Sequence, residues 1–149
     1  MNISKERNVM NSKLDSAIVL ASQTHMGQKD KGGSVYILHP LRVMMQMENE
    51  DEKIVAVLHD VVEDSSLTFD DLKNQGFSND IIDALKCLTK EKGEDYEAFI
   101  ERVSQNRLAT KVKIEDIKDN IDVTRLKTIN EKDLERIQKY HNALMRLEN

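Results

Sequence analysis

The sequence predicts an all-α fold, a single domain over residues 1–149 built from about eight helices. Apolar residues recur at three- and four-residue steps in successive segments, the spacing that places them on one face of a helix. Strand signals are weak, because no run of alternating β-branched residues is bounded by turn residues on both sides. The chain has 149 residues, 39% of them hydrophobic, which is enough for one domain with its own core.

Three helices are predicted in the first part of the chain. The first has regularly spaced inward positions and ends at Gly27, because glycine is favoured just after a helix. The second begins near His39, since the proline that follows is favoured in a first helical turn. The third runs from about Asp51 to Val62. The polar, glycine-bearing segment between the first two predicts a loop with a short hairpin near residues 29–36.

Five further helices follow. Thr68 has an acid three residues later, Asp71, which is a capping pattern, and Gly76 ends this helix. Ser78 caps the next helix, and a sixth spans roughly residues 95–105. The seventh helix holds Leu108, Val112, Ile117 and Ile121, and the eighth holds Leu134, Ile137, Tyr140, His141, Leu144 and Leu147.

Composition narrows the classes of partner and location. The formal net charge is −5 and no long Lys/Arg block is present, so a nucleic-acid duplex is a poor partner. No segment approaches about 18 consecutive apolar residues, so we expect no membrane span. The first residues, MNISKERNVMNSK, lack the apolar region of an export signal. The only cysteine is Cys87, which excludes a disulfide framework and a thiolate metal cluster and fits the cytoplasm.

The segment LHDVVED (58–64) places a histidine and three acids directly after an apolar run. If the third helix continues through it, these four side chains share an arc about 100° wide. Carboxylates at this spacing repel each other by about 0.2–0.5 kcal/mol per pair, and a divalent cation would turn this repulsion into attraction. His59 and Asp60 then converge on one ion. The more distal Glu63 and Asp64 are free to handle protons. A solvated helix end explains the same spacing, because acids are common on surfaces.

Two further elements carry side chains of the same kind. His39 precedes a proline, which steers it out of helical geometry and gives it a fixed direction at a helix start. Asp116 and Asn120 lie four residues apart on one helix face, beside an inward stripe where an aspartate needs a partner. Taken alone, a capping histidine and a charged surface helix also explain these elements. Together with His59 and Asp60, they offer imidazole and carboxylate ligands that suit Mn²⁺, Fe²⁺ or Zn²⁺.

Five ordered blocks of the sequence resemble a known family. They are HMGQ (25–28), YILHPL (36–41), LHDVVED (58–64), LTK (88–90) and VKIED with a following asparagine (112–120). They resemble the family patterns AHxGQ, YIxHPxxVA, LLHDVVEDT, VTKL and VKLADxxxN, in the same order. On these blocks the chain resembles the HD-domain phosphohydrolases, and more closely the RelA/SpoT-type alarmone hydrolase domain, from about Asp15 to Leu126.

The resemblance implies a role for each matching residue. The implied metal ligands are His39, His59, Asp60 and Asp116, with Mn²⁺ as the family's usual ion. Glu63 and Asp64 would activate or orient the attacking water and protonate the leaving group, and Asn120 would touch the nucleotide. The implied reaction is hydrolysis of the 3′-pyrophosphate of (p)ppGpp by a metal-activated water, giving GDP or GTP plus pyrophosphate. The length leaves no room for the synthetase domain of long family members, so we expect a small stand-alone hydrolase.

The chain departs from the family pattern in the substrate-binding part. Asp30 replaces the arginine that resembles a purine-stacking residue, although Lys31 keeps the second basic position. Ile117 and Asp122 stand where the family usually carries basic residues. Losing a planar cation removes a stacking platform for the base. The candidate phosphate contacts that remain are Lys29, Lys31, Lys113 and Lys118.

Three functions therefore stay open from the sequence. The first is a Mn²⁺-dependent pyrophosphohydrolase acting on (p)ppGpp or a close relative. The second is an HD phosphohydrolase acting on a different nucleotide, which Asp30 and Asp122 favour. The third is a non-catalytic module that binds a nucleotide or a protein, which the full set of ligands and acids disfavours. The sequence determines neither the oligomeric state nor the ion.

Overall fold

A computed structural model describes residues 12–149, and within this range the chain forms eight α-helices and one short 3-10 helix. The α-helices are α1 (Lys13–Thr24), α2 (Leu38–Met45), α3 (Glu50–Leu58), α4 (Phe69–Asn74), α5 (Asn79–Leu88), α6 (Tyr96–Ser104), α7 (Arg107–Asn120) and α8 (Glu131–Glu148). The 3-10 helix, Val123–Arg125, follows α7. The all-α prediction is confirmed. The first eleven residues, which include most of the segment predicted to lack an export signal, lie outside the described range.

Polar side chains cap the N-termini of most helices. Each capping side chain accepts a hydrogen bond from a main-chain N–H of the first turn, and such a cap stabilises a helix by about 0.5–2 kcal/mol. The caps are Ser12, Asn49, Thr68, Ser78, Asp95, Asn106 and Asn130. The predicted caps at Thr68 and Ser78 are confirmed. At Asn49 a reciprocal box with Glu52 starts α3 at Glu50, one residue before its predicted start.

Helix α3 occupies the centre of the bundle. Its apolar run from Ile54 to Leu58 is at most 1% exposed along its whole length. It packs against α1, α2, α5 and α7. Two of these helices, α2 and α7, carry the predicted ligands His39 and Asp116. Burying a run of large aliphatic side chains on all sides contributes about 1.5–3 kcal/mol per residue, which explains why α3 anchors the fold.

The predicted extension of α3 to Val62 is wrong, because the helix ends at Leu58. His59 Nδ1 donates a hydrogen bond to the carbonyl oxygen of Ala56. In a continuing helix that carbonyl would accept from the N–H of residue 60. The chain instead turns through residues 59–64, closed by a hydrogen bond from the N–H of Val61 to the carbonyl of Leu58 at 3.0 Å.

The loop between α1 and α2 contains a reduced form of the predicted hairpin. A single antiparallel bridge joins Lys29 and Val35, without strands on either side. The turn is closed by Asp30, whose N–H donates to the carbonyl of Ser34 at 2.8 Å and whose Oδ1 accepts from the Ser34 N–H at 2.9 Å. Gly33 has φ +88°, a conformation that other residues rarely adopt.

Helix α8, the longest at 18 residues, covers α6 and α7. Its buried side is formed by Ala143, Leu144 and Leu147, while most of its remaining surface is polar. Between residues 12 and 149, no helix is both long enough and apolar enough to cross a bilayer.

Candidate metal centre and adjoining cavity

Four predicted ligands meet where α2, α3 and α7 pack together. His39 lies in the first turn of α2, His59 and Asp60 follow α3, and Asp116 lies on α7. His39 Nε2 is 2.9 Å from Asp116 Oδ1. His59 Nε2 is 3.2 Å from the same oxygen and 3.1 Å from Asp60 Oδ2. Ligand atoms of His39, His59 and Asp60 all lie within 4.8 Å of one another. Asp116 is outside that three-residue group, yet its contacts with both histidines place it in the same cluster.

The donor set fits a divalent cation. Because His59 Nδ1 donates to Ala56, Nε2 is the nitrogen that faces the carboxylates. This buried Nε2 lies 3.1 Å from Asp60 Oδ2 and 3.2 Å from Asp116 Oδ1, and within the described part of the chain it makes no hydrogen bond of good geometry. A divalent cation would be attracted by this nitrogen and by both carboxylates. Neutral imidazole and carboxylate without thiolate are the ligands of catalytic divalent ions.

Each of the two candidate carboxylate ligands is held from behind by another side chain. Tyr36 donates its hydroxyl hydrogen to Asp60 Oδ2. Lys113 Nζ donates to Asp116 Oδ2 at 2.8 Å, which leaves Oδ1 facing the histidines. Such contacts fix the orientation of a ligand and tune its basicity.

The electrostatics keep both carboxylates ionised. Burial opposes ionisation of Asp60, but the neighbouring His59 outweighs it and lowers the pKa of Asp60 to about 2. Burial likewise opposes ionisation of Asp116, but Lys113 and His59 outweigh it and hold its pKa well below the usual range. In return, the two carboxylates overcome the burial of His59 and raise its pKa. A raised pKa means that His59 holds its proton more tightly, and a divalent cation would compete with this proton for the two carboxylates.

The two predicted proton-handling acids lie in the turn after α3. The predicted single helical face for the four polar residues is wrong, because the helix has already ended. Glu63 Oε1 accepts from the main-chain N–H of Lys90 at 3.1 Å. Asp64 Oδ2 accepts from Gln28 Nε2 at 3.2 Å, and Gln28 Oε1 is 2.9 Å from His25 Nδ1. Desolvation is the main cause that raises the pKa of Glu63.

A cavity of about 270 Å³ adjoins the cluster and shares His39 and Tyr36 with it. Its charged lining residues are Lys29, Lys31, Arg42, Arg125 and Arg136, with the acids Asp30, Asp119 and Asp122. Cations therefore outnumber carboxylates on its wall, unlike the chain as a whole. A larger cavity of about 770 Å³ near the start of α3 has more acids than cations on its wall and is lined by none of the predicted site residues.

The predicted substrate-binding residues divide into two groups. Lys29, Lys31 and Asn120 line the cavity. The amide nitrogen of Asn120 donates to Asp116 Oδ1 at 3.0 Å, so it also contacts the cluster. Lys113 lies instead behind Asp116, with its side chain 12% exposed.

Several residues that line the cavity were not predicted from the sequence as site residues. They are Arg42, Asp119, Arg125, Arg136 and Tyr140. The sequence contained a partial indication. Arg42 lies one helical turn after the predicted ligand His39, and Arg136 lies one turn before Tyr140, so each pair shares a helix face. The Nε atom of Arg136 is buried and has no partner within the described residues.

No protein-family model matches the chain. A guanosine-3′,5′-bis(diphosphate) 3′-pyrophosphohydrolase of Aquifex aeolicus is 28% identical over 120 residues, which cover 72% of this chain and 17% of that protein. The protein of the same name from Vibrio cholerae is 34% identical over 88 residues, covering 55% and 12%. The bifunctional (p)ppGpp synthase/hydrolase SpoT of Escherichia coli is 32% identical over 82 residues, covering 52% and 12%. The chain spans less than a fifth of the length of these relatives.

A solved structure shares the fold. It is described as a metazoan ortholog of SpoT that hydrolyzes ppGpp and plays a role in starvation responses. Its TM-score is 0.75 at 21% identity, covering 92% of this chain and 85% of that chain. The helical bundle with its histidine–aspartate cluster is thus the fold of the HD-domain hydrolases. Within that class, the predicted resemblance to the RelA/SpoT-type hydrolases is confirmed.

Proposed function

We propose that this chain is a divalent-metal-dependent phosphohydrolase that removes the 3′-pyrophosphate of (p)ppGpp, giving GDP or GTP plus pyrophosphate. One observation carries the proposal. Two histidines and two ionised aspartates from α2, α7 and the turn after α3 converge beside a cavity with a surplus of cations, and the buried Nε2 of His59 faces both carboxylates. The names of the similar proteins support the same reaction.

The metal would be held by His39, His59, Asp60 and Asp116, and we propose Mn²⁺ as the ion. When bound, a divalent ion lowers the pKa of water and neutralises phosphate charge. The chain keeps both aspartates ionised, and the bond from His59 Nδ1 to Ala56 directs Nε2 toward the site, where a cation would displace its proton.

We assign proton handling to Glu63 and Asp64. Both carboxylates lie three and four residues after Asp60 and are anchored by hydrogen bonds to other loops, which limits their movement. The raised pKa of Glu63 brings this carboxyl closer to the neutral range, where a general base or acid works best. In this proposal they orient the attacking water and protonate the leaving pyrophosphate.

The cavity would bind the nucleotide. Lys29 and Lys31 extend from the turn before α2, and Asn120 lies at the end of α7. Phosphate groups are bound well by ammonium charges and by the forked donors of arginine. We therefore propose that the two lysines contact phosphate and that Asn120 contacts the nucleotide while holding Asp116.

A second candidate is an HD phosphohydrolase with a different nucleotide substrate. Asp30 and Asp122, which replace basic residues of the family pattern, both line the cavity. Two carboxylates on this wall repel additional phosphates and remove a stacking cation from the base. This observation bears on the identity of the nucleotide and leaves the metal chemistry unchanged.

A substrate panel separates the candidates. The chain is treated with chelator, supplied with Mn²⁺ and assayed for phosphate and pyrophosphate release from (p)ppGpp, GTP and other nucleotides. We expect pyrophosphate from (p)ppGpp only with metal, and none from Asp60→Ala. Asp83→Asn, an exposed acid on α5, is the control and should match the original chain. Release from another nucleotide alone favours the second candidate, and no release from any nucleotide contradicts both.

A further inference from the structure

Asp119 lies on α7 one turn after the ligand Asp116 and contacts another ligand. His39 Nδ1 donates to Asp119 Oδ2 at 2.6 Å, while His39 Nε2 faces Asp116. The Asp119 side chain is 13% exposed, so the contact is largely shielded from water.

The same carboxylate also binds cations of the cavity wall. Arg42 donates from Nε to Oδ1 at 2.8 Å and from Nη2 to Oδ2 at 3.0 Å. Arg125 Nη2 donates to the main-chain carbonyl of Asp119 at 2.7 Å and lies 3.4 Å from its Oδ2. Both guanidinium groups line the cavity. Asp119 thus has an imidazole of the metal cluster on one side and two cavity arginines on the other.

We propose that Asp119 is a positioning residue that orients His39 for the metal and holds Arg42 at the cavity wall. The inference deepens the proposed function and rests on it. A carboxylate that accepts from Nδ1 fixes the imidazole tautomer and leaves the Nε2 lone pair for the cation. The paired arginine is ordered by the same bond before any substrate binds, which reduces the entropy lost on binding.

The charge balance around Asp119 supports this role. Both oxygens of this carboxyl accept from the Arg42 guanidinium, and Oδ2 also accepts from the His39 imidazole. A charged acceptor makes a stronger hydrogen bond to the imidazole than a neutral one. Since Arg42 and Arg125 lie beside it, the carboxylate does not leave a net negative charge at the cavity wall.

Asp122 provides a matched control. It is an aspartate of the same cavity wall and contacts Arg125 at 3.1 Å, as Asp119 does at 3.4 Å. Its other partner is Thr124, through the N–H and the hydroxyl. Replacing it therefore removes one negative charge from the cavity and leaves the contact between Asp119 and His39 in place.

The test measures metal affinity and requires no turnover. The full chain and the variants Asp119→Ala, Asp119→Asn and Asp122→Asn are stripped with chelator, checked for folding by thermal melting, and titrated with Mn²⁺ by calorimetry. We expect Asp119→Ala to weaken Mn²⁺ binding about 10–100-fold, the usual effect of removing a partner behind a ligand. Asp119→Asn should weaken it less, because an amide oxygen still accepts from Nδ1 without charge. Asp122→Asn should bind as the original chain does.

The outcomes are distinct. Unchanged affinity in folded Asp119→Ala overturns the inference, as does an equal loss in Asp122→Asn, which would mean that only the cavity charge matters. If the alanine variant does not fold, Asp119→Asn decides in the same way. If the original chain binds no Mn²⁺, the proposed function itself fails. If it binds Mn²⁺ and Asp119 has no effect, only the present inference fails.

Discussion

His59 Nδ1 donates a hydrogen bond to the carbonyl oxygen of Ala56, three residues earlier. This contact ends α3 at Leu58 and determines which imidazole nitrogen carries the lone pair. One side chain therefore shapes the backbone turn that carries Asp60 and also offers the buried Nε2 to the cluster. The same hydrogen bond therefore affects both the end of the helix and the geometry of the candidate metal centre.

Replacing His59 tests that relationship. Because the Nε2 atom of His59 lies between Asp60 and Asp116, we expect His59→Ala to lose Mn²⁺ binding and activity. The measurement is Mn²⁺ titration by calorimetry together with pyrophosphate release. His141→Gln is the control, since His141 is an exposed histidine on α8 and should not alter binding. Stoichiometric, equally tight binding by His59→Ala would remove His59 from the ligand set.

Lys113 should matter most for stability. It is paired with buried Asp116, and breaking a buried ion pair from one side costs about 3–5 kcal/mol. We expect Lys113→Met to lower the free energy of unfolding in urea by an amount in that range. Saturating Mn²⁺ should reduce the loss, because the ion neutralises the carboxylate that has lost its lysine partner.

Lys118→Met is the matched control for this prediction. Lys118 pairs with Glu115 at the same three-residue spacing, but its side chain is 48% exposed. Such surface pairs contribute about 0–1 kcal/mol. Equal losses in the two variants would show that Asp116 does not depend on Lys113.

The pH dependence of activity should report Glu63. The raised pKa of Glu63 means that its carboxylate takes up a proton at a higher pH than an ordinary glutamate, whose pKa is 4.5. A general base must be ionised, so activity falls as the pH decreases through this raised pKa. We expect kcat/KM to show an acid limb above pH 4.5.

Glu63→Gln checks the assignment of that limb. It should lower the rate by about 10²–10⁴-fold and abolish the limb. The main-chain N–H of Lys90 can still donate to the amide oxygen, so the turn is preserved. A rate loss with the acid limb intact would mean that another group titrates.

Metal should stabilise the folded chain. At an ion concentration 100 times the Kd, binding adds about 2.7 kcal/mol to the free energy of unfolding. For a chain of this length, that corresponds to a rise in Tm of about 5–10 °C. Thermal melts with chelator and with Mn²⁺ measure the difference. Asp60→Ala should show no such rise, and a rise of the same size in that variant would place the ion elsewhere.

Much of the fold could be predicted because helices are encoded locally. The three- and four-residue spacing of apolar side chains identified the helices, and the capping residues Thr68 and Ser78 could be recognised in the sequence. The end of α3 was predicted incorrectly. The spacing of apolar residues does not reveal that the His59 side chain donates to the carbonyl of Ala56, which would otherwise accept a hydrogen bond within the helix. The hairpin was predicted too long for a related reason, since a turn signal does not say how far pairing continues.

The sequence by itself determined the helical class and the residue types that meet at the candidate metal centre, because short motifs record both. Only the tertiary structure decided their partners. Arg42 and Asp119 are 77 positions apart, and His39 and Asp119 are 80 apart. Contacts at such separations arise from the packing of α2 against α7, which local patterns do not encode. Lys113 shows that even a local pair can be misjudged: it bonds to Asp116, three residues later on the same helix, although its charge alone suggested a contact with substrate phosphate.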